Sequence, residues 1–149
     1  MIIVTRDDPR DPQATALLGQ SHAMMQSLYT TDECHFLPID ALCGPGIAFF
    51  SARRGDIKLG CGALAARDGY GEVKSMFVDP ASRGQGIADA ILRALEDEAR
   101  GLELPYLRLE TGHVLHAAHR LYQRHGFAFC DPFGDYTANP ASLFMEKAL

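Results

Sequence analysis

The chain of 149 residues contains no apolar run that approaches the ~20 residues needed to cross a bilayer. Its longest apolar stretches, Gly46–Phe50 and Gly60–Ala66, stop far short of that length. The start, Met1-Ile2-Ile3-Val4-Thr5, has none of the features of a targeting leader, so an untargeted, cytoplasmic protein with no membrane partner is the expectation. Positive charge is also scarce: the formal net charge is -5. A protein that holds nucleic acid by neutralising phosphates needs the opposite balance, so no nucleic-acid partner is expected, although a local basic patch can still hold one anionic ligand. The four cysteines, Cys34, Cys43, Cys61 and Cys130, have neither C-x-x-C spacing nor the density of a secreted disulfide scaffold. They read as reduced thiols, and none has a motif around it that marks a nucleophile or a metal ligand. Internal repeats and low-complexity tracts are absent as well.

What is present suits one globular domain over residues 1–149, with 47% apolar composition and enough chain to bury roughly 70% of its unfolded surface. Ile2–Thr5 is β-branched and predicts a strand, and Asp11–Tyr29 carries Ala14, Leu17, Leu18, Met24, Met25 and Leu28 at helical spacing. Residues 30–45 are irregular, a loop or a short second helix. From Ile47 the pattern alternates strand and tight turn: Ile47–Ala52, Ile57–Ala66 and Glu72–Val78, separated by Arg54-Gly55-Asp56 and Asp68-Gly69-Tyr70-Gly71. Turns this short make an antiparallel meander. Gly86–Leu102 then places Ile87, Ile91, Leu92, Leu95, Ala99 and Leu102 on one stripe of a helix, with Asp89–Arg93 and Glu96–Arg100 spaced for ion pairs on the rest. A strand at Tyr106–Glu110, a helix at His113–His125 and strands at Phe127–Cys130 and Ser142–Lys147 complete the order. The fold class expected is α/β of the α+β type, a mixed, mostly antiparallel central sheet with helices on its faces.

The densest chemical signal is the strand Glu72–Val78 running through Asp79-Pro80-Ala81-Ser82 into Arg83-Gly84-Gln85-Gly86-Ile87-Ala88 at a helix start. Glycines there let the backbone curl so that free N–H groups point outward, and the helix dipole adds positive potential at the same place. Such a cradle suits a pyrophosphate. The dinucleotide fingerprint G-x-G-x-x-G fails, because Asp89 stands where a third small residue is required; a P-loop fails because no G-K-[ST] occurs.

Arg83, Gly86 and Ala88 do match R/Q-x-x-G-x-G/A, and the segment resembles the GNAT superfamily of N-acetyltransferases. Met76-Phe77-Val78 with Asp79-Pro80 resembles that family's fourth strand, and Ala118–Phe127 its A-x-x-L-Y-x-x-x-G-F segment. Gly71-Glu72-Val73-Lys74, Leu109-Glu110-Thr111-Gly112, Pro132–Tyr136 and Phe144–Lys147 resemble a bacterial subgroup. The resemblance covers roughly residues 47–149 and implies acetyl transfer from acetyl-CoA to the amine of a small molecule or peptide by direct attack, without a metal. It implies that Met76, Phe77 and Val78 pair with the pantetheine arm, that Arg83, Gly84, Gln85, Gly86, Ile87 and Ala88 hold the pyrophosphate, and that the protein forms a homodimer. Many members carry Asn where this chain has Leu115, so one polar contact to the cofactor arm is missing.

Tyr122 matches the tyrosine that protonates the departing thiolate in many members, against the plainer reading of a core tyrosine. An ammonium is not nucleophilic until a base takes its proton. Glu72 is the candidate, on the parity of Lys74, Met76 and Val78, against the plainer reading of a strand-end carboxylate paired with Lys74. His113, His116 and His119 recur every three residues and read as a solvated helix face, and Phe133, Tyr136 and Phe144 as core or as walls of the acceptor pocket. Two rival functions stand beside amine acetylation: an acyltransferase with another acyl donor or a hydroxyl acceptor, and a non-catalytic acyl-CoA sensor on the same fold.

Overall fold

The computed structural model describes residues 1–149. All seven strands form one sheet, in the order β1-β2-β3-β4-β5-β7-β6. These are β1 (Ile3–Arg6), β2 (Ile47–Arg54), β3 (Ile57–Arg67), β4 (Tyr70–Val78), β5 (Tyr106–Gly112), β6 (Ala128–Cys130) and β7 (Ser142–Ala148). Helices α1 (Pro12–Leu28), α2 (Ile39–Leu42), α3 (Ile87–Gly101) and α4 (His116–Arg124) connect them. The meander predicted from the tight turns is β2-β3-β4, antiparallel throughout. The irregular residues 30–45 hold one 3₁₀ turn, Thr31–Glu33, and the single turn of α2. No helix is long and apolar enough to cross a membrane.

Two apolar clusters flank the sheet. The larger joins α3 and α4 to the sheet through Ile91, Leu92, Leu95, Leu64, Val73, Leu107, Leu109 and Met145. The smaller joins α1 and α2 through Leu17, Leu18 and Leu42 to Phe49, Cys61, Ala63 and Phe77. Each large side chain buried this way contributes about 1.5–3 kcal/mol, so the stripe on α3 fixes that helix firmly on its face. Cys61 is buried, which pushes its thiol up to about 12 and makes it a packing residue.

The sheet's one parallel pairing, β4 with β5, is short: only Gly71↔Leu107 and Glu72↔Arg108 are in register. Beyond Glu72 the two strands separate, and the edge of β4 that faces β5 has no strand partner. A bulge accompanies the separation. Ser75 takes φ 57°, and the β3–β4 register shifts between Cys61 and Ala63. The extra residue reverses parity. Glu72 and Lys74 lie on the face of Phe77, whereas Met76 and Val78 cross to the α3 face with Val73. The unbroken alternation expected to align Glu72, Lys74, Met76 and Val78 is therefore corrected by the bulge.

The far end of β5 is closed by Tyr29, which follows α1 and is buried. Its hydroxyl accepts a hydrogen bond from Val114 N at 3.3 Å and lies where a side chain on Gly112 would project. Gly112→Ala should lower stability by about 1–3 kcal/mol through overpacking, read as a lower urea midpoint at unchanged slope. In a Tyr29→Ala background the same change should cost little. An unchanged midpoint in the wild-type background would show that the slot is not needed.

Candidate active site

Where β4 leaves β5, a cleft of ≈ 740 Å³ opens on the α3–α4 side. One wall is the end of β4, Met76–Val78; another is the turn and first residues of α3; the third is α4 with the Val114–Leu115 segment before it. Met24 of α1 reaches its rim. The volume falls within the range of sites that take a small ligand or cofactor.

The α3 end of the cleft presents groups that suit an anion. Gly84 and Gly86 take φ 78° and 79°, the left-handed region that a side chain disfavours, and nothing stands within 4 Å of where a Cβ would project. Gly86 caps α3 without a side-chain hydrogen bond, so the first-turn N–H groups stay free for a ligand. Arg83 lies over the Phe77 ring at 5.7 Å and donates from Nε to Val78 O at 3.3 Å. Arg120 and Arg124 of α4 also line the cleft. Gln85, one of the expected ligand contacts, has its Oε1 accepting from Arg54 at 2.8 Å, and its side chain does not line the cleft. Ile87 is 2% exposed and can offer only its backbone. Asp89 pairs across to α4, with His125 Nε2 at 2.8 Å and Arg124 at 3.3 Å, not with Arg93 along its own helix. The bond to His125 holds its carboxyl below the usual range.

Tyr122 projects from α4 into the cleft and is 6% exposed. Burial, and then the charge of Glu110, push its hydroxyl above the ordinary tyrosine range, so it stays protonated. Leu115 is the residue before α4 and lines the cleft with an apolar side chain. The three histidines do not share one environment. His113 and His116 are exposed, while His119, expected on a solvated face, is buried with Nε2 2.8 Å from Gly112 O. The His116 and His119 rings meet edge to face at 5.6 Å, while His113 precedes α4, which starts only at His116.

Glu72 lies outside the cleft, on the opposite face of the sheet. Its side chain is 4% exposed and surrounded by donors: Tyr136 Oη at 2.6 Å, Lys74 Nζ at 3.3 Å and Arg67 Nε at 3.3 Å. Lys74 Nζ also donates to Tyr136 Oη and to His35 O, both at 2.9 Å. The His35 and Tyr136 rings meet edge to face at 5.4 Å. One buried ammonium thus ties together β4, the 30–38 segment and the 131–140 loop. Phe133, Tyr136 and Phe144 pack on each other over this network.

One group escaped the reading of the sequence. Glu110 lies on β5 two residues beyond the last β4–β5 pair, and burial raises its carboxyl, offset in part by Ser142, His35 and Lys74. The alternation of Leu107 and Leu109 with Arg108 and Glu110 carries the signal that would have found it.

Residues 45–128 match the family described as Acetyltransferase (GNAT) domain. The chain is 41% identical over 150 residues to an IAA acetyltransferase of Azospirillum brasilense, covering 99% of this chain and 98% of that one. It is 34% identical to a solved acyl-CoA N-acyltransferase from Klebsiella pneumoniae, with a TM-score of 0.84 over 100% of this chain and 98% of that one. At 15% identity and a TM-score of 0.77, over 100% of this chain and 99% of the other, it shares its fold with the PaiA N-acetyltransferase of Thermoplasma acidophilum, solved in complex with coenzyme A. A β4 that parts from β5 beside an uncapped, glycine-led helix start agrees with these likenesses, and the chain belongs to the GNAT family of acetyltransferases.

Proposed function

We propose that this single-domain enzyme transfers the acetyl group of acetyl-CoA to the amine of a small molecule or peptide by direct attack. The observation that carries this reading is the meeting, in one cleft, of β4's unpartnered edge, the free N–H groups of α3 and the hydroxyl of Tyr122. Acetyl-CoA, when bound, supplies an activated thioester. Backbone groups of Met76, Phe77 and Val78 take its arm as an added strand and aim a donor at the thioester oxygen, where a preorganised N–H contributes several kcal/mol. Gly84, Gly86 and Ala88, with the N–H groups of Gln85 and Ile87 and the charge of Arg83, hold the pyrophosphate. Tyr122, kept protonated by its surroundings, gives its proton to the departing sulfur. Glu72 anchors the 30–38 and 131–140 segments to β4 through Lys74 and Tyr136. The four unpaired cysteines suit a reducing cytoplasm, and a homodimer follows from the family resemblance.

Acetyl-CoA at a hundredfold excess over its dissociation constant should stabilise the protein by about 2.7 kcal/mol in thermal unfolding. Tyr122→Phe should keep that stabilisation while slowing thiol release in the presence of an accepted amine by about 10²–10⁴-fold. Wild-type turnover by Tyr122→Phe would remove the tyrosine from the chemistry. Stabilisation with no thiol release across amines, amino acids and peptides would favour a sensor.

Lys74→Met should cost about 3–5 kcal/mol in denaturant unfolding, because it leaves the Glu72 carboxylate buried with fewer partners. The double variant Glu72→Gln, Lys74→Met should recover part of that loss. A loss no smaller in the double variant would argue against an anchoring pair.

A further inference from the structure

We infer that Glu110, not Glu72, receives the proton of the acceptor ammonium, and that it sits with Ser142 as the recognition point for a primary amine. The inference rests on the acetyl-transfer reading above.

The two carboxylates share a face of the sheet but not an environment. Glu72 is opposite Arg108 in the last β4–β5 pair, with three donors within 3.3 Å. The acceptor sites of that carboxylate are taken, and its 4% exposed side chain gives a ligand no route to it. Glu110 lies two residues farther along β5, inside the widening wedge, and is partly exposed. It forms no ion pair, and the one side-chain donor beside it is the Ser142 hydroxyl. Its neighbour across the ladder is Phe144, and diagonal to it on β7 stands Ser142, which is 5% exposed and whose Oγ meets no group in good hydrogen-bond geometry. A carboxylate with only a poorly aligned hydroxyl beside it leaves acceptor capacity unfilled on both groups. A primary ammonium carries three donors and a charge, and fills both.

The groups that face Glu110 are Glu72 and Lys74 of β4, Cys34 and His35 of the 30–38 segment, Tyr136 of the 131–140 loop and Tyr122 of α4. Lys74 is neutralised by Glu72, so a cation approaching Glu110 meets no net opposing charge from that pair. Burial raises the Glu110 carboxyl, which brings it toward the range where a base works best near neutral pH. Tyr122 reaches the same centre from the other face of the sheet, close enough for its hydroxyl to feel the Glu110 charge. An acid and a base thus bracket the gap between β4 and β5.

In the step itself, Glu110 takes one ammonium proton and passes it to solvent, leaving the electron pair on nitrogen. That pair forms the C–N bond to the thioester carbon. The electrons of the broken C–S bond stay on sulfur, which takes the Tyr122 proton, and Tyr122 regains a proton from the acylated nitrogen. One amide, one thiol and one solvent proton result.

The test compares wild type, Glu110→Gln, Glu110→Asp and Glu72→Gln by thiol release from acetyl-CoA with a panel of primary amines across pH. Wild-type rate should rise through a limb above the ordinary glutamate range, as the raised carboxyl loses its proton. Glu110→Gln should lose about 10²–10⁴-fold and that limb, yet keep stabilisation by acetyl-CoA, and Glu110→Asp should regain part of the rate. A limb that survives in Glu110→Gln and vanishes in Glu72→Gln overturns the inference, as does a wild-type rate in Glu110→Gln. Carbon-13 carboxyl titration of the full chain decides without any acceptor: the glutamate signal missing from Glu110→Gln should titrate above the others, and one in the ordinary range overturns the proposal. If acetyl-CoA fails to stabilise the wild type, the acetyl-transfer reading falls and takes this inference with it. Stabilisation with an unaffected Glu110→Gln sinks the inference alone.

Discussion

The structure turns on two strands that pair for two residues and then part. Had β4 and β5 stayed in register beyond Glu72 and Arg108, every backbone donor of β4 would have been used within the sheet and no cleft would exist. The parting leaves a row of polar groups along the free edge of β4, at the point where α3 begins with unused N–H groups of its own. An unpaired edge is ordinarily a hazard of aggregation. Here the edge is recessed between α3 and α4, where an extended arm can complete the sheet and a neighbouring sheet cannot reach it.

The same parting gives the two glutamates different roles. At the apex, where the strands still touch, packing is dense and Glu72 has to be neutralised by Lys74, Arg67 and the Tyr136 hydroxyl to be tolerated at all. That network rigidifies the apex and fastens the 30–38 and 131–140 segments to β4 through a single ammonium. Two residues along β5 the strands have separated, and Glu110 stays partly exposed and without an ion pair. Structural and chemical duties are thereby divided between residues of one type by position in the wedge.

Much of this was legible in the sequence because its causes are local. The Arg54-Gly55-Asp56 and Asp68-Gly69-Tyr70-Gly71 turns set the meander, the stripe from Ile87 to Ala99 set α3, and Gly84 and Gly86 marked a backbone that only glycine adopts with ease. What stayed hidden depends on tertiary contact. The bulge at Ser75 has no signature in Lys74-Ser75-Met76, yet it reverses which side chains face the cleft. Gln85 is engaged by Arg54, a residue of the β2–β3 turn 31 positions away. His119 is buried because Phe129 and the carbonyl of Gly112 meet it there. Leu107 and Leu109 do reveal the parity of Glu110, but its lack of an ion pair follows from where β4 ends its pairing with β5, which no local pattern encodes.

The central claim, that an acyl-CoA arm completes the edge of β4 and its pyrophosphate rests on the start of α3, is tested most directly by titrating acetyl-CoA into nitrogen-15-labelled protein. The account predicts that the largest amide shifts fall at Met76–Val78 and Gly84–Asp89, with Tyr122 and the first turn of α4 next. Shifts centred instead on α1, β1 and β2, with the β4 edge and the Gly84–Asp89 amides unmoved, would contradict it.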